Sequence, residues 1–291
     1  MQEDKKGTTI RFPATANLMI DSADRDETRF PLANAFQITK NNSILNGFFT
    51  RIGTTEVVFE YNYPNVSDGS YYGSNLSVQY TDDSEQWGPL APANGFYTVA
   101  QLINWLVDAL NTSGGSTTWT AVVNPSGAAG ALFTATGTST QTILAGTLID
   151  LLFGSNNTPI VLDPSGTSNN KVETLSSIDL RPYRYIDFIS PELTYPQDLK
   201  DASTAPLVRD VLCRWYFDWD TPTAIDSYGF PILMGYTPFY ARRLFNPPKQ
   251  IKWDSNLPIG NISFQLYGND GNIAVLDSNS NWLMTCQVSE N

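Results

Sequence analysis

The sequence predicts an all-β sandwich, and three observations carry that reading. The last forty residues alternate with period two: Ile262, Phe264 and Leu266 fall on one face against Ser263, Gln265 and Tyr267, and Trp282, Met284, Cys286 and Val288 oppose Leu283, Thr285, Gln287 and Ser289. Alternation of this kind marks strands of a sheet with one buried face. The composition agrees, with 18 prolines, 20 glycines and 12% aromatics spread over short apolar runs broken by turn residues. A helical period occurs clearly once, over about residues 98–111. At 291 residues and 41% apolar content the chain can bury a substantial core.

Residues 1 to about 17 are polar and without period, and read as an N-terminal arm. Leu18-Met19-Ile20 leads into the acidic run Asp21 to Glu27, followed by a strand at Phe36-Gln37-Ile38. A further strand runs from Glu56 to Tyr61, where Val57, Phe59 and Tyr61 alternate with Glu56, Val58 and Glu60, and another is expected at Leu76 to Tyr80. The helix has Thr98 as N-cap, Gln101 at the capping-box position and an apolar stripe of Val99, Leu102, Ile103, Leu106 and Leu110. A single helix of this length is marginal in water, so it is expected to dock on the sheet across an open end of the sandwich. Strands follow at Trp119–Val123 and Ala131–Ala135, joined by Asn124-Pro125-Ser126-Gly127, and Leu148 to Gly154 reads as a short apolar turn. The Ser, Asn, Gly and Pro-rich stretch from Gly154 to Asn170 reads as an internal boundary. The proline and aromatic-rich stretch from about 215 to 248 reads as a long connection or small insertion. The body is expected to run from 18 to 291 and to end on a packed strand.

Several function classes are disfavoured. The chain has no histidine, which removes Ser-His-Asp and Cys-His catalysis and the commonest transition-metal ligand. No Walker loop, Gly-x-Gly-x-x-Gly or nucleophile elbow is present. A formal charge of −12, with basic residues never in runs longer than two, disfavours direct nucleic-acid binding. No apolar run reaches the roughly 18 residues needed to span a bilayer, and no secretory signal opens the sequence. Synthesis in a reducing cytosol is the default expectation, so Cys213 and Cys286 read as buried thiols, with a bridge between them as the alternative. Six glycosylation sequons begin at Asn41, Asn65, Asn75, Asn111, Asn156 and Asn261; without a signal sequence they read as chance matches. No enzyme activity, cofactor or metal is expected.

Individual sites were weighed against simpler roles. Asp21, Asp24, Asp26 and Glu27 offer hard oxygen ligands for Ca²⁺, but their spacing fits no EF-hand; the alternative ties Arg25 to nearby carboxylates and backbone. Cys213 to Asp220 reads as a strand with Cys213, Trp215, Phe217 and Trp219 on one face. Arg214, Tyr216, Asp218 and Asp220 fall on the other. An aromatic platform beside two acids suits a sugar-binding cleft, although a glycosidase needs its carboxyl groups on both sides of a substrate. A core or subunit interface is the simpler reading. Arg242-Arg243 is either a contact to a partner's acids or a solvated turn.

Three segments together resemble a known family. Leu18-Met19-Ile20-Asp21-Ser22-Ala23-Asp24-Arg25, the Gly95-Phe96-Tyr97-Thr98 lead into the helix, and the closing stretch from Pro248 through Gly268-Asn269-Asp270-Gly271 to Trp282-Leu283-Met284-Thr285 are similar to the single jelly-roll penton and minor capsid proteins of virophages, polinton-like viruses and large double-stranded DNA viruses. The resemblance leaves the stretches around 154–170 and 215–248 uncovered. It implies a single jelly roll forming a homopentamer at icosahedral five-fold vertices of a virion, made in the host cytoplasm. Its partners would be a double jelly-roll major capsid protein and other minor capsid proteins. Candidate interface residues are then Arg25, Tyr216, Trp219, Arg242, Arg243 and Tyr267. The alternatives are a minor capsid or cement protein at another shell position, and a carbohydrate-binding attachment module built on Trp215 to Trp219.

The closing alternation predicts that deleting Trp282 to Val288 abolishes folding, whereas trimming residues 1–16 leaves a folded subunit. Circular dichroism and solubility of the two truncations check this; a soluble, folded C-terminal deletion would contradict it.

Overall fold

The computed structural model describes residues 15–40, 44, 49–67, 78–82, 85–113, 115–144, 146–157, 159–166, 169–194, 211–217, 224–252 and 259–290. The chain divides into two compact units. The first comprises Met1–Glu60, Tyr185–Trp215 and Tyr240–Asn291, and the second Tyr61–Arg184 and Tyr216–Phe239. The chain therefore leaves the first unit twice, and both excursions contribute to the second.

The first unit is a jelly roll. Its strands are β1 (Thr15–Asp21), β2 (Ala35–Thr39), β3 (Arg51–Tyr61), β4 (Tyr185–Ile189), β5 (Val211–Tyr216), β6 (Phe239–Leu244), β7 (Asn261–Gly268) and β8 (Trp282–Ser289). One sheet has the order β1-β8-β3-β6, and the other β5-β4-β7-β2. First thus pairs with last, second with seventh, third with sixth and fourth with fifth. That is the connectivity of a long hairpin rolled into two sheets. A short strand at Gln250–Lys252 also pairs with β3, placing Ile251 opposite Ile52.

Alternation decides which side chains are buried. Along β8, Trp282, Met284, Cys286 and Val288 are buried, as are Ile262, Phe264 and Leu266 along β7. Phe36, Phe188 and Phe264 surround the Trp282 ring, with centroids 5.4, 5.2 and 5.5 Å away. Phe59 meets Phe188 and Trp215 edge-on. These pairs join inward faces of the two sheets, so aromatic packing holds the layers together. A bulge interrupts the β8–β3 register between Thr285 and Cys286. Its extra residue, Thr55, uses its hydroxyl to donate to the Thr285 carbonyl at 3.0 Å.

β1 begins at Thr15, so it takes in residues that polarity assigned to the arm. It is an edge strand on which Thr15, Ala16 and Asn17 are all exposed, which leaves no apolar period to read. Just beyond it, a single 3₁₀ turn (Ser22–Asp24) is tied to the start of β8. Arg25 is buried and donates to the carbonyls of Ser22 (2.9 Å), Phe30 (3.0 Å) and Pro31 (3.1 Å) and to Asn281 Oδ1 (2.9 Å). Trp282 donates its backbone N–H to Ser22 Oγ at 2.8 Å and its indole N–H to the Ala33 carbonyl at 2.9 Å.

The second unit has its own core. Helix α1 (Val99–Thr112) buries Val99, Leu102, Ile103, Leu106 and Leu110 together with Trp119, Phe133, Phe153, Phe230 and Tyr236. The capping box is formed, with Gln101 N–H donating to Thr98 Oγ1 and Thr98 N–H to Gln101 Oε1. The stripe is thus buried in the core of this unit, packed on the strand Thr118–Val123. Leu148 to Gly154, expected as a turn, is helix α2 (Thr147–Phe153), which buries Leu148, Ile149, Leu152 and Phe153. Its two turns are too short to establish a helical period in sequence. A three-stranded sheet is built from Lys171–Glu173, Ala131–Thr136 and Thr118–Val123. A four-stranded one is built from Glu85–Leu90, Val78–Asp82, Gln141–Ile143 and Ile160–Leu162. The turn between the two strands expected at 119 and 131 closes at Gly127, whose φ of 79° suits glycine. The stretch Gly154 to Asn170, expected as the internal boundary, lies inside this unit and contains the strand Ile160–Leu162. The actual boundaries fall at strand ends, at Glu60/Tyr61, Arg184/Tyr185, Trp215/Tyr216 and Phe239/Tyr240, where aromatic and charged residues alternate and no loop-like composition marks a break.

Replacing Arg25 with alanine would remove the side-chain donor from the Phe30 and Pro31 carbonyls and leave the Ser22 carbonyl only its 3.3 Å bond from the backbone N–H of residue 25, a cost of about 3 kcal/mol. The expected result is loss of hydrogen-exchange protection in peptides covering β1 and β8, with the second unit unchanged. Wild-type protection in both strands would refute this account of Arg25.

Candidate functional site

The outward face of the β1-β8-β3-β6 sheet presents several large, exposed apolar side chains among the described residues of the first unit. Parity sets its membership. With Trp282, Met284 and Cys286 turned inward, Leu283 and Thr285 turn outward, and the register carries Met19 opposite Thr285 and Glu56 opposite Thr285 on the other side. On β6, exposure alternates so that Tyr240, Arg242 and Leu244 face out. Met19 is 68% exposed, Tyr240 73% and Leu244 63%. Arg242 is paired with Glu56 in the middle of this face. Such a sheet face mixes exposed apolar side chains with charged ones and one neutralised ion pair, a composition compatible with a protein contact surface.

The six residues expected at an interface are distributed differently. Arg242 lies on the outward face. Arg243, its neighbour, turns the other way and sits over the Trp215 ring, 5.1 Å from its centroid. Tyr216 is 46% exposed at the end of β5. Tyr267 is half-buried on β7, and its hydroxyl donates to Gln265 Oε1 at 3.2 Å. Arg25 is buried by the contacts described above, which fits its alternative role as a structural tie. Trp219 lies outside the described residues, as do Asp218 and Asp220. The acidic run beside Arg25 caps backbone instead of converging. Asp21 accepts from Ala23 N–H at 2.9 Å, Asp26 accepts from Thr28 N–H at 3.1 Å, and Glu27 lies 3.5 Å from Arg25. Among the described residues, no group of three or more Cys, Asp and Glu is gathered as a metal site.

Polar side chains that sequence reading passed over turn out to organise both units. Asp187, buried on β4, accepts a bidentate pair from Arg214 on β5 at 2.6 and 2.9 Å, and the Arg214 guanidinium also lies 3.9 Å from the Tyr185 ring centroid. A buried carboxylate with this fork-shaped partner is satisfied, although it adds little net stability over an apolar pair. Glu192, on helix α3 (Pro191–Thr194), accepts from the backbone N–H of Ser263 at 3.0 Å and from its hydroxyl at 2.7 Å. The β4–β7 pairing stops at Ile189 opposite Gln265. Glu192 therefore continues that edge of β7 after its partner strand has ended.

The same device recurs in the second unit. Asn65 accepts from Tyr97 N–H and donates to the Tyr97 carbonyl, both at 2.8 Å, extending the Val66–Gly95 bridge by one side chain. Asn111 does the same to Trp119, at 2.7 and 2.9 Å. Asp226 accepts from Tyr228 and Phe230 N–H with one oxygen and from Ala100 N–H, in the first turn of α1, with the other. Helix α1 is thus anchored at its entry, its exit and its exposed N-terminal amides. Asn65 and Asn111 also head two sequons. The sequons are the one sequence feature that singled these asparagines out, although for another reason.

No protein-family model matches the chain, and no curated protein matches it. Among solved structures the fold is similar to that of the mavirus penton protein, determined as a crystal structure of its selenomethionine-labelled form. The TM-score is 0.51 at 10% sequence identity, and the match covers 97% of this chain and 100% of that one. This likeness is one of fold.

Two outcomes check the anchoring. Asp226→Ala, which removes an acceptor from three amides, should destabilise the second unit by about 2 kcal/mol in urea denaturation. Expression through a secretory host should leave Asn65 unglycosylated by peptide mass mapping, since its amide is fully buried and already paired.

Proposed function

We propose that this chain is a structural protein of a viral capsid, and that it serves as the penton, forming homopentamers at the five-fold vertices. The observation that carries this reading is the two-way span of the likeness. A protein whose printed description is a penton protein is matched over its whole length, and it accounts for 97% of this chain, so both compact units are included. The jelly-roll connectivity supports the same reading, as does an outward sheet face bearing Met19, Tyr240 and Leu244. In a closed ring each subunit offers two different surfaces to its neighbours. The outward face of β1-β8-β3-β6 is one of them in this proposal, and Tyr267, on the other sheet of the first unit, belongs to the other. The second unit is then free to differ in role from the wall built by the sandwich. Major capsid and other minor capsid proteins are the lateral partners in this proposal, and the work of the protein is mechanical, without cofactor or catalysis.

Sedimentation velocity of the full chain at high concentration should give a five-subunit species. The double variant Tyr240→Asp, Arg242→Glu should weaken association about tenfold or more, with an unchanged circular dichroism spectrum. A chain that stays monomeric at capsid-like concentrations, and that matches no vertex density in reconstructed particles, would overturn the reading.

A further inference from the structure

The three-stranded sheet of the second unit has two edges of opposite character. One is Lys171–Glu173, which is short and charged at both ends. The other is Thr118–Val123, which pairs with Ala131–Thr136 in unbroken register and contains no charged residue and no proline. Short length, charge, proline and bulges are the devices that keep an exposed edge from pairing with other chains, and this edge has none of them. Val122 and Val123, at its end, are each 54% exposed.

Two bonded positions show which backbone groups the edge offers. Asn111 engages both main-chain groups of Trp119, at 2.7 and 2.9 Å, so those groups point away from the paired strand. Asn124 N–H donates to the Gly130 carbonyl at 3.0 Å, across the hairpin. Backbone direction alternates along a strand, so Thr118, Thr120 and Val122 bond the paired strand while Ala121 and Val123 turn their N–H and C=O groups outward. Among the described residues, neither Ala121 nor Val123 has a hydrogen-bond partner on that outer side. We propose that this edge docks the same edge of a second copy, the two strands pairing antiparallel about Val122 and joining the two sheets into one.

The edge is complementary to itself in a single register. Centring on Val122 sets Ala121 of each copy opposite Val123 of the other, and each such pair exchanges both of its N–H and C=O groups. A shift towards Ala121 would bring Val123 opposite Trp119, whose backbone Asn111 already holds. A shift towards Val123 would bring Ala121 opposite Pro125, which has no N–H. Charge also favours a second copy here. The chain carries −12 overall, so copies repel, but the strands of this sheet hold only Lys171 and Glu173, which cancel. The contact has a two-fold axis, whereas a ring contact joins two different surfaces. It does not rest on the capsid reading.

The test introduces single cysteines into the full chain and oxidises with copper–phenanthroline, reading linked dimer by non-reducing electrophoresis and peptide mapping. Cys213 and Cys286 are buried, so the link reports the introduced sulfur. In the proposed register Val122 faces itself across about 4.5 Å, within reach of a disulfide, whereas Thr120, exposed on the same face, lies about 13 Å from its copy. Val122→Cys should therefore link at least about tenfold more than Thr120→Cys. Adding Ala121→Pro to Val122→Cys removes only an outward N–H and should abolish the link with an unchanged circular dichroism spectrum; if that variant fails to fold, Val123→Pro takes its place. Equal linking at positions 120 and 122, no link at 122 at high concentration, or a link that survives the proline in a folded chain would each overturn the proposal. The five-subunit species in sedimentation is a separate readout, so loss of one contact is distinguishable from loss of the other.

Discussion

The sandwich depends on where β8 sits. It lies between β1 and β3, so removing it would separate the outer strand from the rest of its sheet. Its first residue, Trp282, also fills the space between the layers and is held at both of its N–H groups, by Ser22 Oγ and by the Ala33 carbonyl. Ser22 is in turn fixed through Arg25, whose guanidinium gathers the carbonyls of the turn after β1. Aromatic packing supplies area and attraction between layers, but it is tolerant of small displacements. The hydrogen bonds around Ser22, Arg25 and Asn281 are directional and set the register from which the rest of the first sheet follows.

Away from that knot, both units solve one recurring problem in one way. A strand or helix ends, and its neighbour is left with backbone groups that burial forbids leaving unpaired. Glu192 beside Ser263, Asn65 beside Tyr97, Asn111 beside Trp119 and Asp226 beside Ala100 each supply a side chain where the backbone partner is missing. Two-pronged amides suit this task because they offer a donor and an acceptor at the spacing of a peptide group. In the second unit these single-point ties supplement the pairing of its two sheets, and Asp226 joins the excursion between β5 and β6 to the one between β3 and β4.

How much of this was legible in sequence follows from which side chains alternate. β7, β8 and most of β3 present one buried and one exposed face, and their period is plain. Helix α1 is equally plain, because cap, capping box and stripe agree. β4 is not, because Ile186, Asp187, Phe188 and Ile189 are all buried, so no alternation survives and the carboxylate among them looks like a loop residue. The division into two units was also hidden, since the chain crosses between them at the ends of strands such as β3 and β5, with no glycine- or proline-rich linker at the crossing. The organising polar residues were invisible as such: Asn65 and Asn111 are ordinary letters until the backbone they mimic is brought beside them. Of the expected interface residues, Arg242 and Tyr216 are exposed, while Arg25 is spent on the knot; charge alone does not distinguish those fates.

The pairing of first strand with last has a consequence for biosynthesis. Helix α1 meets its strand partner at Thr118–Val123 within a few residues of sequence, so the core of the second unit can begin to assemble while the chain is still being made. β1 must wait for a partner more than 260 residues downstream. Until then its hydrogen-bonding edge and the inward face of β3 are open to other chains, at the crowded moment when many copies are being translated together. The late closure makes the nascent chain sensitive to translation speed and to chaperone supply.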